Sequence, residues 1–151
     1  MEKTAKFIAS FFCLGYAPAA PGTFGSLGGL LIYFLVKDNA VIFTGLTIAI
    51  FILGLAFCGI AERAFGKKDS QKIVIDEACG MMASLLFLPR RMWLTVAAFG
   101  LFRLFDIIKP PPIKKIEALP GGYGIMLDDI AAAVYTNLTL QIIVNIQKRL
   151  F

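Results

Sequence analysis

The sequence contains no histidine, and this absence excludes several kinds of chemistry. A mechanism that needs an imidazole base, a phosphohistidine or a histidine metal ligand is not available to the chain. Its three cysteines, Cys13, Cys58 and Cys79, are odd in number and widely spaced, unlike the pattern of a small secreted disulfide scaffold. They form no CxxC pair, so a structural zinc site is not expected. We interpret the cysteines as small apolar core residues.

Charged residues are also scarce. They make up 17% of the 151 residues, against about 25% in an ordinary soluble domain. Apolar residues make up 58%, which excludes a disordered chain. The net charge of +5 falls in short basic clusters between apolar runs, a pattern typical of membrane-flanking charge rather than of nucleic-acid binding. At this length we expect one domain over residues 1–151 and no nucleic-acid partner.

The apolar runs predict a helical membrane protein. Residues 39–61 carry no charge and would form a helix of about 34 Å, enough to cross a hydrocarbon core of about 30 Å. The predicted helices cover residues 25–36, 39–61, 73–88, 92–108 and 123–146, after an amphipathic or re-entrant helix near residues 3–14. We therefore expect an all-α, compact, membrane-embedded bundle with about four or five long apolar helices.

Several ionisable residues interrupt these apolar runs, near the predicted helix ends. Such residues are costly at membrane depth and are candidates for function. They are Asp76, Glu77, Arg103, Asp106, Lys109, Asp128 and Asp129. If the helices cross in alternation with the N-terminus inside, which the distribution of lysine and arginine favours, all of these ends lie on the inside face. We therefore expect one interfacial site there.

The residue types in this set match a cation and a phosphate. Five carboxylates without histidine suit a hard cation such as Mg²⁺, and they could not all stay ionised together without cations. Arg103, Asp106 and Lys109 are spaced i, i+3, i+6, so two groups suited to phosphate oxygens flank an acid. The segment PGTFGS, at residues 21–26, is predicted to precede a helix, where its backbone N–H groups could bind phosphate. Taken singly, PGTFGS is also typical of a turn with an N-cap, and Arg103 with Asp106 is typical of a structural ion pair.

Four strings in this sequence resemble the phosphatidylglycerophosphatase A family: PGTFGS, DEACG, FRLFDIIKPPP and GGYGIMLDDI. They occur in the family's order over residues 18–135. The resemblance implies a Mg²⁺-dependent bacterial membrane phosphatase that converts phosphatidylglycerophosphate to phosphatidylglycerol. It also implies a helical fold in which a central helix is ringed by others. The chain departs from the family in having alanines at residues 131–133, where glycine often follows the paired aspartates.

Together, the residues and the resemblance predict the role of each site residue. The predicted catalytic residues are Asp76, Glu77, Asp106 and Asp129. The predicted Mg²⁺ ligands are Asp76, Glu77, Asp106, Asp128 and Asp129. The predicted phosphate-binding residues are Thr23, Ser26, Arg103 and Lys109. The expected partner is a phospholipid substrate in the bilayer, and the expected location is the bacterial cytoplasmic (inner) membrane, with the active site on the cytoplasmic face.

Two other functions stay open at this point. A phosphatidyltransferase also uses acids and Mg²⁺ at the membrane interface, although its spaced Asp-Gly-Asp motif is absent here. A small cation or proton transporter would use intramembrane carboxylates, and it predicts acids near the middle of a span rather than near helix ends.

Overall fold

The chain is all-helical, as the sequence predicts. A computed structural model describes residues 1–68 and 70–150, and every regular element in these two ranges is a helix. The α-helices are α1 (Glu2–Ala9), α2 (Pro21–Val36), α3 (Ala40–Phe65), α4 (Ile75–Ser84), α5 (Met92–Ile108), α6 (Ile113–Glu117) and α7 (Gly122–Leu150). A short 3₁₀ helix, Leu14–Tyr16, lies between α1 and α2. The helix predicted over residues 92–108 is confirmed at both ends.

Helix α4 is the central helix of the bundle. Eight of its ten residues are buried, and it packs against α2, α3, α5 and α7. This arrangement confirms the expectation of a central helix ringed by others. Helix α4 is shorter than the predicted residues 73–88, because the Asn137 side chain donates hydrogen bonds to the carbonyl oxygens of Ser84, at 3.0 Å, and Leu86, at 2.7 Å. A side chain thus satisfies carbonyl groups that a further helical turn would otherwise use.

Helix α2 begins four residues earlier than predicted. Pro21 is its first residue, and proline suits this position because its fixed φ matches a helix and its missing N–H would have no helical partner. The PGTFGS segment therefore forms the first turns of α2 and is not a turn before it, which corrects the sequence-based expectation. Further along α2, a side chain on Gly29 would collide with the Ala78 carbonyl group, so glycine permits close packing of α2 on α4.

Two described helices, rather than four or five, are long and apolar enough to cross a membrane. They are α3, with 26 residues, and α7, with 29 residues. Helices α2 and α5 have 16 and 17 residues, and α4 has only ten. The expected number was too high because proline, side-chain capping and turns divide the remaining apolar sequence into shorter helices.

Helices α3 and α7 run antiparallel, so the C-terminal part of α3 meets the start of α7. A Cβ atom on Gly59 would lie 3.2 Å from the backbone nitrogen of Gly122, and one on Gly54 would collide with the Met126 side chain. Residue numbers therefore rise along one helix as they fall along the other. This pairing places the polar start of α7 at the end of the bundle where α3 finishes.

Candidate active site

The predicted site residues converge at one end of the bundle. The start of α4 carries Asp76 and Glu77, the end of α5 carries Arg103 and Asp106, and the first third of α7 carries Asp129. Helices α5 and α7 both pack against α4. The ion pair of Arg103 with Glu77 joins α5 to α4, and short carboxylate distances join α4 to α7. The convergence expected from the alternating topology is therefore present.

Three of the carboxylates form a compact cluster. One oxygen each from Asp76, Glu77 and Asp129 lies within 4.8 Å of the other two. Asp76 is 7% exposed and Asp129 is 3% exposed. Three buried oxygens in this group, Asp76 Oδ1, Glu77 Oε2 and Asp129 Oδ2, have no hydrogen-bond partner among the described residues. Buried charges normally have partners, so these oxygens fit a hard divalent cation, which prefers oxygen ligands.

The cluster also perturbs the protonation of its members on α4. Burial raises the pKa of Asp76 well above its usual value, and the neighbouring Glu77 and Asp129 carboxylates raise it further. The pKa of Glu77 is raised to about 7 in total: burial raises it most and the Asp106 carboxylate adds to this, while a hydrogen bond with Asp76 and the Arg103 charge oppose the increase. The protein's own groups therefore do not neutralise this cluster fully, and a bound cation would supply the missing positive charge.

Arg103 connects the three-carboxylate cluster to a fourth acid. Its Nη1 atom lies 2.7 Å from Asp106 Oδ2 and 3.9 Å from Glu77 Oε1. The first turn of α2 closes this region, because a side chain on Gly22 would collide with Glu77 Oε1 and lie 3.1 Å from the Arg103 guanidinium nitrogens. Close approach of backbone to a site is a common reason for glycine. The sequence reasoning used Gly22 only as part of a glycine-rich segment and missed this contact.

Lys109 forms a second charged group beside the cluster. Its Nζ atom lies 2.7 Å from Asp128 Oδ2 and 2.7 Å from Glu117 Oε1. Burial acts to lower the pKa of Lys109, but the hydrogen bonds to Asp128 and Glu117 outweigh burial and raise it above its ordinary value. The other Asp128 oxygen, Oδ1, accepts a hydrogen bond from the Asp129 backbone N–H at 2.9 Å. Both Asp128 oxygens are therefore engaged.

The structure thus divides the five predicted Mg²⁺ ligands into two sets. Asp76, Glu77 and Asp129 form the cluster, whereas Asp106 and Asp128 each pair with a cationic side chain. Glu117 is a member of the charged site that the sequence reasoning missed. It follows Lys109 by eight residues, and nothing in the proline-rich segment between them indicates that the chain turns back.

Thr23 and Ser26 lie in the first turns of α2. The Ser26 side chain is buried and donates a hydrogen bond to the Gly22 carbonyl oxygen at 3.0 Å. The Thr23 backbone N–H donates to the Ala20 carbonyl oxygen at 2.9 Å. The Ser26 hydroxyl and the Thr23 N–H therefore both donate hydrogen bonds within the start of α2, and the predicted phosphate-binding role of the two residues stays a prediction.

Comparisons with known proteins show what this sequence is similar to. The family profile described as phosphatidylglycerophosphatase A matches residues 7–144. A protein named phosphatidylglycerophosphatase A from Haemophilus influenzae is 39% identical over 132 residues, which cover 85% of this chain and 81% of that protein. A protein of the same name from Escherichia coli is 36% identical over 142 residues, which cover 89% of this chain and 80% of that protein.

A relative from Bacteroides thetaiotaomicron carries a different, provisional name, phosphatidylinositol-3-phosphatase. It is 40% identical over 141 residues, which cover 85% of this chain and 86% of that protein. No solved structure matches the chain significantly.

Proposed function

The chain belongs to the phosphatidylglycerophosphatase A family, and we propose that it is a Mg²⁺-dependent enzyme that hydrolyses phosphatidylglycerophosphate to phosphatidylglycerol and phosphate. The main support for a cation requirement is the cluster of Asp76, Glu77 and Asp129, in which three buried oxygens have no hydrogen-bond partner among the described residues. These three residues would hold the cation. When bound, it would supply Lewis-acid activation of the phosphoryl group and of the attacking water.

The basic residues beside the cluster bind and orient the phosphoryl group. Arg103 lies next to Glu77 and forms an ion pair with Asp106, and its Nη1 atom has no hydrogen-bond partner among the described residues, so its planar guanidinium can meet phosphate oxygens next to the cluster. Lys109 is held by Asp128 and Glu117 and contributes a second fixed positive charge. Charges that are already in place before the reaction stabilise the negative charge of the transferring phosphoryl group.

We place the enzyme in the bacterial cytoplasmic membrane, with the cluster on the cytoplasmic face. The two helices α3 and α7 are long and apolar enough to span the bilayer. The charged site lies at the end of the bundle where α3 finishes and α7 begins. A site at that level lets the acyl chains of a lipid stay in the bilayer while its phosphate meets water and cation.

The family match does not favour a transporter or a phosphatidyltransferase. The name of the Bacteroides thetaiotaomicron relative supports one alternative substrate, phosphatidylinositol 3-phosphate. Both lipids carry a terminal phosphomonoester, so the same cluster could serve either one. The substrate assay must therefore compare them directly.

The test is phosphate release by the purified protein in detergent. We expect phosphatidylglycerophosphate to be the best substrate in a panel with phosphatidylinositol 3-phosphate and phosphatidic acid, and we expect a chelator to stop the reaction until Mg²⁺ is restored. Asp76→Asn and Asp129→Asn should each lower kcat at least about 10²-fold. Asp38→Asn is the matched control, because Asp38 is exposed and its one ion pair within residues 1–68 and 70–150 is with Arg90, at 3.5 Å. Full activity of both cluster variants would refute the proposed site.

A further inference from the structure

An apolar groove of about 440 Å³ lies next to the carboxylate cluster, between α3, α4 and α7. Its lining residues Cys79 and Ile130 lie close in sequence to the cluster, on the same two helices. Cys79 follows Asp76 by about one turn of α4, and Ile130 directly follows Asp129 on α7. The groove and the proposed cation site are therefore neighbours on two shared helices.

The groove runs along α7 for about the depth of one membrane leaflet. Its α7 wall extends from Ile130 to Leu138. Leu138 lies nine positions after Asp129, which corresponds to about 13 Å along a helix at ~1.5 Å per residue. Half of a hydrocarbon core of about 30 Å is about 15 Å. A lipid with its phosphate at the carboxylate cluster would have its chain beside this wall.

The polar side chains in the groove are already satisfied within the protein. The Asn137 amide nitrogen donates to the Ser84 and Leu86 carbonyl oxygens, and its Oδ1 atom accepts a hydrogen bond from Gln141. The Thr47 hydroxyl donates to the Phe43 carbonyl oxygen at 2.9 Å. The groove therefore presents an apolar surface to its occupant, and a polar ligand would find no free partner at these two side chains.

We propose that this groove binds one acyl chain of the lipid phosphate substrate, an inference that rests on the proposed function. A chain that moves from the bilayer into the groove leaves one apolar environment for another, so it gains packing contacts rather than hydrophobic transfer energy. The groove's contribution is therefore orientation. A chain held along α7 keeps the phosphate beside Asp76 and Asp129, and small errors in such positioning lower reaction rates strongly.

Narrowing the groove tests this proposal. Val134 lies in the middle of the α7 wall and is 48% exposed, so Val134→Phe should obstruct a chain without burying a larger side chain in the core. The matched control is Val96→Phe on α5, because Val96 is 64% exposed and lies outside the groove. Ile48→Phe should narrow the groove from the α3 side, and it replaces Val134→Phe as the test variant if Val134→Phe does not fold.

The measurement is the ratio of kcat/KM for dioleoyl to kcat/KM for dihexanoyl phosphatidylglycerophosphate, in one detergent. We expect Val134→Phe to lower this ratio about tenfold relative to wild type and Val96→Phe to leave it within experimental error. An unchanged ratio in the groove variants would overturn the proposal. A change in oligomeric state in these variants would also overturn it, because the groove would then be an interface between copies of this chain.

A binding measurement separates failure of the groove from failure of the proposed reaction. Retention of dioleoyl phosphatidylglycerol by the purified protein can be measured by native mass spectrometry without turnover. Val134→Phe should retain about a tenth of the lipid that wild type retains, and equal retention would count against the groove. If wild type retains more lipid than Val134→Phe but releases no phosphate from either substrate, the proposed reaction fails while the groove is supported.

Discussion

Replacing Glu77 with glutamine should stabilise the protein while removing its activity. Burial raises the pKa of Glu77 from 4.5 to about 7, so the folded protein without a cation holds a proton that the unfolded chain releases. Stability therefore falls as the pH rises from about 4.5 to about 7. This change in pKa corresponds to about 3 kcal/mol of lost stability at pH 8. Glutamine has no charge to bury, so Glu77→Gln should recover that amount.

Thermal unfolding in detergent, with a chelator present, measures this effect. For a chain of this length, about 3 kcal/mol corresponds to an increase in Tm of about 6–12 °C at pH 8, and the difference should largely disappear at pH 5. Wild type should regain stability when Mg²⁺ is added, by about 2.7 kcal/mol at a concentration of 100 Kd. Glu77→Gln should respond much less, because a ligand has been lost.

Asp38→Asn provides the control for a carboxylate that is not buried, since Asp38 is exposed. Its Tm should match wild type at both pH values. If the Glu77→Gln protein is no more stable than wild type at pH 8, burial of the ionised Glu77 carboxylate does not destabilise the protein. The argument for a cation at the cluster would then lose its electrostatic basis.

Three further results are expected. Lys109→Met should destabilise the protein by about 3–5 kcal/mol in chemical unfolding, because it leaves the buried Asp128 carboxylate without its cation, whereas Glu117→Gln should cost less because the Glu117 side chain is 37% exposed. Gly22→Ala should lower kcat at least about tenfold with little change in helical circular dichroism, because its methyl group would displace Glu77 and Arg103; an unchanged kcat would contradict this contact. Mg²⁺ affinity, measured by calorimetry, should fall as the pH drops below about 7, since the Glu77 carboxylate must lose its proton to bind a cation.

The fold could be predicted in outline because the apolar runs are long and the polar interruptions are few. Residues 92–108 form a helix at the predicted positions because an arginine pair precedes the run and a lysine followed by prolines ends it. The length of α4 could not be predicted in this way. Its end depends on Asn137, which is far away in sequence and reaches α4 only after the chain has folded.

The candidate site could likewise be predicted only in part from the sequence. Charged residues that interrupt apolar runs need a function or a partner, and this indicated seven members of the site but not Glu117. Their division into partnered and unpartnered groups depended on geometry. Lys109 meets Glu117 only because the chain turns back after α5, and Gly22 contacts Glu77 only because α2 packs on α4.

That division explains how one site can hold many carboxylates. Asp106 and Asp128 lie against permanent cations of the protein, Arg103 and Lys109, at 2.7 Å each. These pairs keep their charge balance whether or not a metal ion is bound. Among the described residues, no cation lies that close to Asp76, Glu77 or Asp129, and Arg103 is 3.9 Å from Glu77. A chelator should therefore disturb the cluster and leave the Arg103–Asp106 and Lys109–Asp128 pairs in place. The phosphate-binding groups would then stay oriented while the cation exchanges.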